Sequence, residues 1–196
     1  MIALFLYILM DEELDVDDIF NKKPKKIKSG IKGKRVELEL VKNLNARFAD
    51  MLSSNPSYGK FSRSIGSGNR WGQNVQLSRT AKNIYSGDIV CPDHFNFVLE
   101  SKGGYNDIDL VSAFEGGHTE LDEFLRQVSD DSARCQRKPL LLWKKDRKPR
   151  LAFLKDSDLP DRFEYQMNYR DWKVVLYDDL MRLSDDFFFS SPAAAR

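Results

Sequence analysis

The 196-residue chain holds only two cysteines, Cys91 and Cys135, and two histidines, His94 and His118. The cysteines are 44 residues apart and form no C-x-x-C, which excludes a disulfide framework and a thiolate zinc site and points to an intracellular, cytoplasmic protein. Long apolar runs are also lacking. MIALFLYILM at residues 1–10 falls well short of the about 20 residues that cross a bilayer. It starts without a basic region and leads into Asp11, Glu12, Glu13, Asp15, Asp17 and Asp18, so it does not read as a secretory signal. The expectation is that it packs on the domain edge or precedes a natural start at Met10. No internal repeat is visible, and Gly66 and Gly68 are not followed by the GKS/T of a nucleotide-binding loop. Net charge is nearly absent too, at +1.

What is present is the composition of one folded domain, 41% hydrophobic and 31% charged, with its charges segregated. Residues 21–35, NKKPKKIKSGIKGKR, carry eight Lys or Arg and no acid. A like-charge block with Pro and Gly reads as a solvated arm able to lie on a phosphate backbone. A second basic cluster comprises Arg134, Arg137, Lys138, Lys144, Lys145, Arg147, Lys148 and Arg150, with Asp146 the one acid among them. A near-neutral protein can therefore still present a positive face. The division expected is a flexible acidic-then-basic arm at 1–31, a catalytic domain at 32–184 and a loosely ordered tail at 185–196.

Val36, Leu38, Leu40, Val41, Leu44 and Phe48 mostly repeat at three and four, which predicts a helix over 34–52. YGKFSRSIGSG reads as a short strand running into a glycine turn, and 69–85 as a loop. Residues 88–91 and 95–102 form a predicted hairpin around Pro92, Asp93 and His94. Leu121, Phe124, Leu125 and Val128 mark a helix from Thr119, a plausible N-cap, to about Gln136. Residues 139–143, 150–154 and 173–177 read as strands, with a short helix near 178–183. This order fits a mixed sheet flanked by helices.

The hairpin carries the chemistry. With its turn at His94, residues i and 188 − i face each other, which sets Asp88 opposite Glu100. The pleat puts Glu100 and Lys102 on one face of their strand. Two carboxylates beside an ammonium suit Mg²⁺, which binds through one or two carboxylates plus substrate phosphate. They also suit metal-assisted phosphodiester hydrolysis, in which Lys102 would orient water and share developing charge. An E-x-K triplet arises about once by chance in such a chain, so the ordered combination matters more than the triplet. Asp93 is a poor substitute for Asp88, lying at the turn roughly 20 Å of strand from Glu100. Pro160-Asp161 with Asp171-Trp172-Lys173 spells the motif again, but there the triplet precedes its apolar strand, so it reads as a decoy. His94 reads as a turn residue and His118 as a loop or helix-entry residue. Trp143 and Trp172 read as packing, whereas Trp71 beside Arg70 is a candidate DNA contact.

In order along the chain stand Lys32-Gly33-Lys34-Arg35-Val36-Glu37-Leu38-Glu39-Leu40, Arg63-Ser64-Ile65-Gly66-Ser67, Asp88, and Glu100-Ser101-Lys102. This series resembles the PD-(D/E)XK nuclease superfamily, and its details are most similar to the archaeal-type Holliday junction resolvases. The likeness covers roughly residues 32–154, including the later helix with Gln127 and the PLLLW strand, and departs in 69–87, in 103–118 and in both tails. It implies an α/β fold with a restriction-endonuclease-like central mixed β-sheet flanked by helices. It implies Glu37, Asp88, Glu100 and Lys102 as catalytic residues and Asp88, Glu100, Ser101 and Glu37 as metal ligands, for Mg²⁺ with Mn²⁺ as substitute. Arg63 and Ser67, with the basic Lys32, Lys34 and Arg35, would contact the substrate. The function it implies is paired cutting of four-way or other branched DNA by a homodimer, and compact size with unusual insertions suits a viral or phage protein. The alternatives are another PD-(D/E)XK endonuclease of nicking, restriction or repair type, and a non-catalytic DNA-binding protein.

Overall fold

The computed structural model describes residues 29–64, 86–159 and 163–190. The basic arm through residue 28, Ser67, Trp71 and most of the 69–87 insertion, Pro160-Asp161 and the last six residues lie outside these, as does the side chain of Lys32.

Helix α1 spans Ser29–Arg47 and α2 spans Ala49–Ser54. The single helix expected over 34–52 is thus interrupted at Phe48, whose backbone leaves helical geometry. Val36, Leu40, Leu44 and Phe48 are buried at a strict spacing of four, whereas Leu38 is 58% exposed. One stripe faces the core and the rest of the helix stays wet.

Among the described residues, seven strands form one sheet in the order β1-β2-β3-β4-β5-β7-β6. They are β1 (Ser62–Arg63), β2 (Ile89–Val90), β3 (Phe97–Gly103), β4 (Lys138–Lys144), β5 (Arg150–Lys155), β6 (Gln166–Tyr169) and β7 (Trp172–Leu176). Among these described strands only β3 and β4 pair parallel; helix α3 (Thr119–Cys135) connects them. A parallel pair needs such a crossover. The mixed sheet with helices on both faces is the α/β architecture expected from the sequence.

The pleat divides the core. Phe97 and Leu99 of β3 and Leu140 and Leu142 of β4 pack with Leu40, Leu44 and Phe48 on the α1 face. Val98, Leu141 and Trp143 pack with Leu121, Phe124, Leu125 and Val128 on the α3 face. Central strands covered on both sides read as unbroken apolar runs, which is why PLLLW was legible. Gly103 has no Cβ because one would stand 2.7 Å from Val36 Cγ2. That close approach brings the Val36–Glu37 turn of α1 onto the carboxyl end of β3.

Several local expectations need correction. Thr119 is the first helical residue of α3 and His118 is the cap residue, with no side-chain cap bond. The polar segment before Trp172, which the sequence reading assigned to no element, forms β6, an edge strand with a partly wet face. Of the tail expected to be loosely ordered, the described residues 185–190 are packed: Asp185–Phe188 is a short helix, Phe188 and Phe189 are buried, and Phe189 bridges to Phe95. Phe48, Phe61, Phe95 and Phe188 meet ring to ring, so the three phenylalanines dock on the chain's own core. Arg47 fastens them. Its guanidinium donates to the carbonyls of Met181 and Leu183 and to Asp185 at 2.6–2.8 Å. Among the described residues, no helix is long and apolar enough to cross a membrane.

Candidate active site

The strand pairing sets the site. Ile89 faces Leu99 across the β2–β3 ladder, the pairing sum of 188 that the sequence predicts, and Asp88 and Glu100 flank that pair, one residue before it and one after it. The connection is wider than a tight hairpin, with His94 at its turn in a left-handed conformation, φ 65°.

A glycine and four hydrogen bonds hold the segment before β2. Gly87 takes φ 72°, and a Cβ there would lie 2.4 Å from the Leu99 carbonyl oxygen. Only glycine lets the chain pass so close to β3 in that conformation. The Asp88 N–H donates to Leu99 O at 2.9 Å, the Ser64 N–H donates to Asp88 O at 2.9 Å, and the Ser101 N–H donates to Asp88 Oδ2 at 3.0 Å. From the other side, Asp131 of α3 accepts the Gly87 N–H on Oδ2 at 3.0 Å.

Lys102 donates to Glu100 Oε1 at 2.6 Å and to Gln127 Oε1 at 3.1 Å, and its ammonium lies 5.1 Å from the centre of the Phe124 ring. Two of its three N–H groups are therefore occupied, leaving one for a water or phosphate oxygen. Burial works against the lysine's charge, but Glu100 and then Asp88 outweigh it and carry the pKa above the ordinary lysine value. Burial likewise raises the Glu100 carboxyl, the Asp88 charge raises it further, and Lys102 opposes both, leaving it at about 7. Two buried carboxylates in mutual repulsion form a hard-oxygen pair that a divalent cation would relieve.

The other candidates are dispersed. Glu37 is ion-paired with Arg63, so the arginine's charge is engaged and the helix acid stands with it, not with the Asp88–Glu100 pair. Among the described residues, no three His, Cys, Asp or Glu converge in a metal-holding group. The Ser101 side chain shares the α1 face with Leu99, opposite Glu100 and Lys102, and its buried hydroxyl has no partner. What Ser101 offers Asp88 is its backbone N–H. Lys34 and Arg35 are exposed on α1. The decoy triplet is used structurally: Asp171 pairs with Lys155, Trp172 is buried, and Lys173 pairs with Asp156. Asp93 is exposed at the turn.

The sequence reading overlooked Asp131. With Glu123 and Gln127 it forms an i, i+4, i+8 polar row along α3, and that spacing on the crossover helix after an E-x-K strand is the signal that could have found it. Desolvation raises the Asp131 carboxyl, against the Gly87 N–H and Arg134.

Comparison with known protein families matches residues 28–186 to the family described as "Phage putative PDDEXK endonuclease". No curated protein and no solved structure matches the chain.

Proposed function

The chain belongs to the phage PDDEXK endonuclease family, a nuclease family of the PD-(D/E)XK superfamily, and from that premise we propose that it is a Mg²⁺-dependent DNA endonuclease acting inside a phage-infected cell. One observation carries the reading: the buried Asp88 and Glu100 flank the Ile89–Leu99 pair and repel each other, with the Lys102 ammonium 2.6 Å from Glu100. In this reading Asp88 and Glu100 hold the ion, and Mn²⁺ substitutes for it. Two carboxylates suffice, because Mg²⁺ completes its shell with water and substrate phosphate. The bound ion supplies Lewis-acid polarisation of the phosphoryl oxygen and a lowered pKa for water.

The protein's own residues do the rest. Leu99, Ser101 and Asp131 fix the Asp88 backbone and carboxylate, so the two acids meet without a search. Lys102, oriented by Glu100 and Gln127, turns its remaining N–H toward the scissile phosphate and stabilises charge developing there. Glu37 acts at one remove, holding Arg63 for a phosphate contact, with Ser67, Lys32, Lys34 and Arg35 extending that contact along the backbone.

The finer proposal is a substrate of branched DNA, a four-way junction first, cut in pairs by a homodimer. The order of the Lys32–Leu40, Arg63–Ser67, Asp88 and Glu100–Lys102 motifs supports it, and a two-fold dimer suits a symmetric substrate. The test is cleavage of a labelled synthetic junction beside a linear duplex, with Mg²⁺ or EDTA, by wild type and Glu100→Ala. Paired Mg²⁺-dependent cuts on the junction alone, absent in the variant, are the expected result. Equal cutting of both substrates replaces the junction resolvase with another endonuclease of the superfamily, and absence of cutting by folded wild type overturns the enzymatic reading.

A further inference from the structure

The second basic cluster is continuous in sequence but divided in space. Arg134 pairs with Asp131, Lys138 pairs with Asp158, Arg137 donates to the Pro92 carbonyl, and Arg150 is buried against Glu39. These four serve the fold. The other four, Lys144, Lys145, Arg147 and Lys148, collect on the β4–β5 turn.

That turn sits at the same end of the sheet as the candidate active site. In the parallel β3–β4 pair, Lys102 is level with Trp143 and Gly103 with Lys144. Lys138 lies at the opposite end, beside Phe97, roughly 20 Å of strand away. The turn is also stitched to the chain leaving β3. The Gly104 N–H donates to Lys144 O at 2.9 Å, Trp143 Nε1 to Gly104 O at 3.2 Å, and Lys145 Nζ to Ile108 O at 2.5 Å. Asn106 and Asp146 exchange two further bonds at 2.8 and 2.9 Å. The one acid of the turn is thereby used internally. Asp109 on the facing loop caps Val111, and Asp107 is exposed there. Lys144 and Lys145 donate to carbonyls and form no ion pair among the described residues. Arg147, at φ 58°, and Lys148 project into solvent with no ion pair among the described residues.

From this arrangement we propose that the β4–β5 turn is a DNA-backbone grip, with Arg147 and Lys148 contacting phosphates on one side of the scissile position. It rests on the reading of DNA as substrate and names the surface that holds it. The turn lies within about 20 Å of Lys102, four residues of chain plus one strand spacing. At about 3.4 Å per nucleotide, it reaches phosphates within about six nucleotides of the cut.

The experiment is anisotropy of a labelled duplex with full-length protein in EDTA, from 50 to 200 mM KCl, for wild type, Arg147→Gln/Lys148→Gln and Lys138→Gln. Each lost phosphate contact lowers the slope of log Kd against log salt by about 1. The double variant is expected to lose about 2 from the slope with an unchanged Tm, and Lys138→Gln to match wild type. An unchanged slope in the double variant, or an equal loss in Lys138→Gln, overturns the grip. Cleavage by wild type in Mg²⁺, run in parallel, separates this from the enzymatic reading: cutting with an unchanged slope removes only the grip, and binding without cutting removes only the nuclease.

Discussion

Asp88 is tied to the strand that carries Glu100 on either side of that residue: its N–H donates to Leu99 O, and the Ser101 N–H donates to its carboxylate. The acids are therefore held together by main-chain geometry, and in the metal-free protein their proximity is a cost to the fold.

That cost has a pH dependence. The Glu100 carboxyl sits at about 7 in the folded chain, against 4.5 for its ordinary value. Between these pH values the native state binds more protons than the unfolded one, so stability falls as pH rises through 7. The shift corresponds to about 3 kcal/mol. Thermal unfolding of the metal-free protein from pH 5 to 8 is expected to show a falling Tm, flattened in Glu100→Gln, and Mg²⁺ at pH 8 is expected to restore most of the loss.

Lys102 is expected to matter for rate more than for metal binding. Lys102→Ala removes the ammonium that, in the proposed mechanism, contacts the phosphate, which should lower kcat by about 10²–10³. Mn²⁺ affinity, followed by calorimetry, should change much less than in Asp88→Ala.

Asp131 holds Gly87 and through it Asp88. Asp131→Ala is expected to weaken Mn²⁺ binding, whereas Asp131→Asn, which keeps an acceptor for the Gly87 N–H, restores it. Equal affinities in both variants would remove Asp131 as a positioning residue.

Phe188 closes the α1 face of the core among Phe48, Phe95 and Phe97. Phe188→Ala is expected to cost about 3–5 kcal/mol in chemical denaturation. Truncation after Ser184 should cost more, since it also removes the Asp185 partner of Arg47.

Local pattern carried much of the fold. The four-residue stripe of α1, the apolar runs of β3, β4, β5 and β7, and the α3 face declare their elements through burial that recurs with helical or strand period. The Ile89–Leu99 register followed because turn position and a period of two set the ladder. What the sequence could not reveal was settled by contacts between distant segments. In sequence only the spacing from Gly33 favours Glu37 over Glu39 as the helix acid, and the fold sends the first to Arg63 and the second to Arg150. Edge pairing with β7 makes a strand of polar residues 166–169, and a ring cluster assembled from four parts of the chain buries the terminal phenylalanines. Eight basic residues form one cluster in sequence, but ion pairing and the length of β4 leave four of them beside the candidate site. Periodicity is a property of neighbours along the chain, whereas ion-pair choice, edge pairing and charge placement depend on groups that meet only after folding.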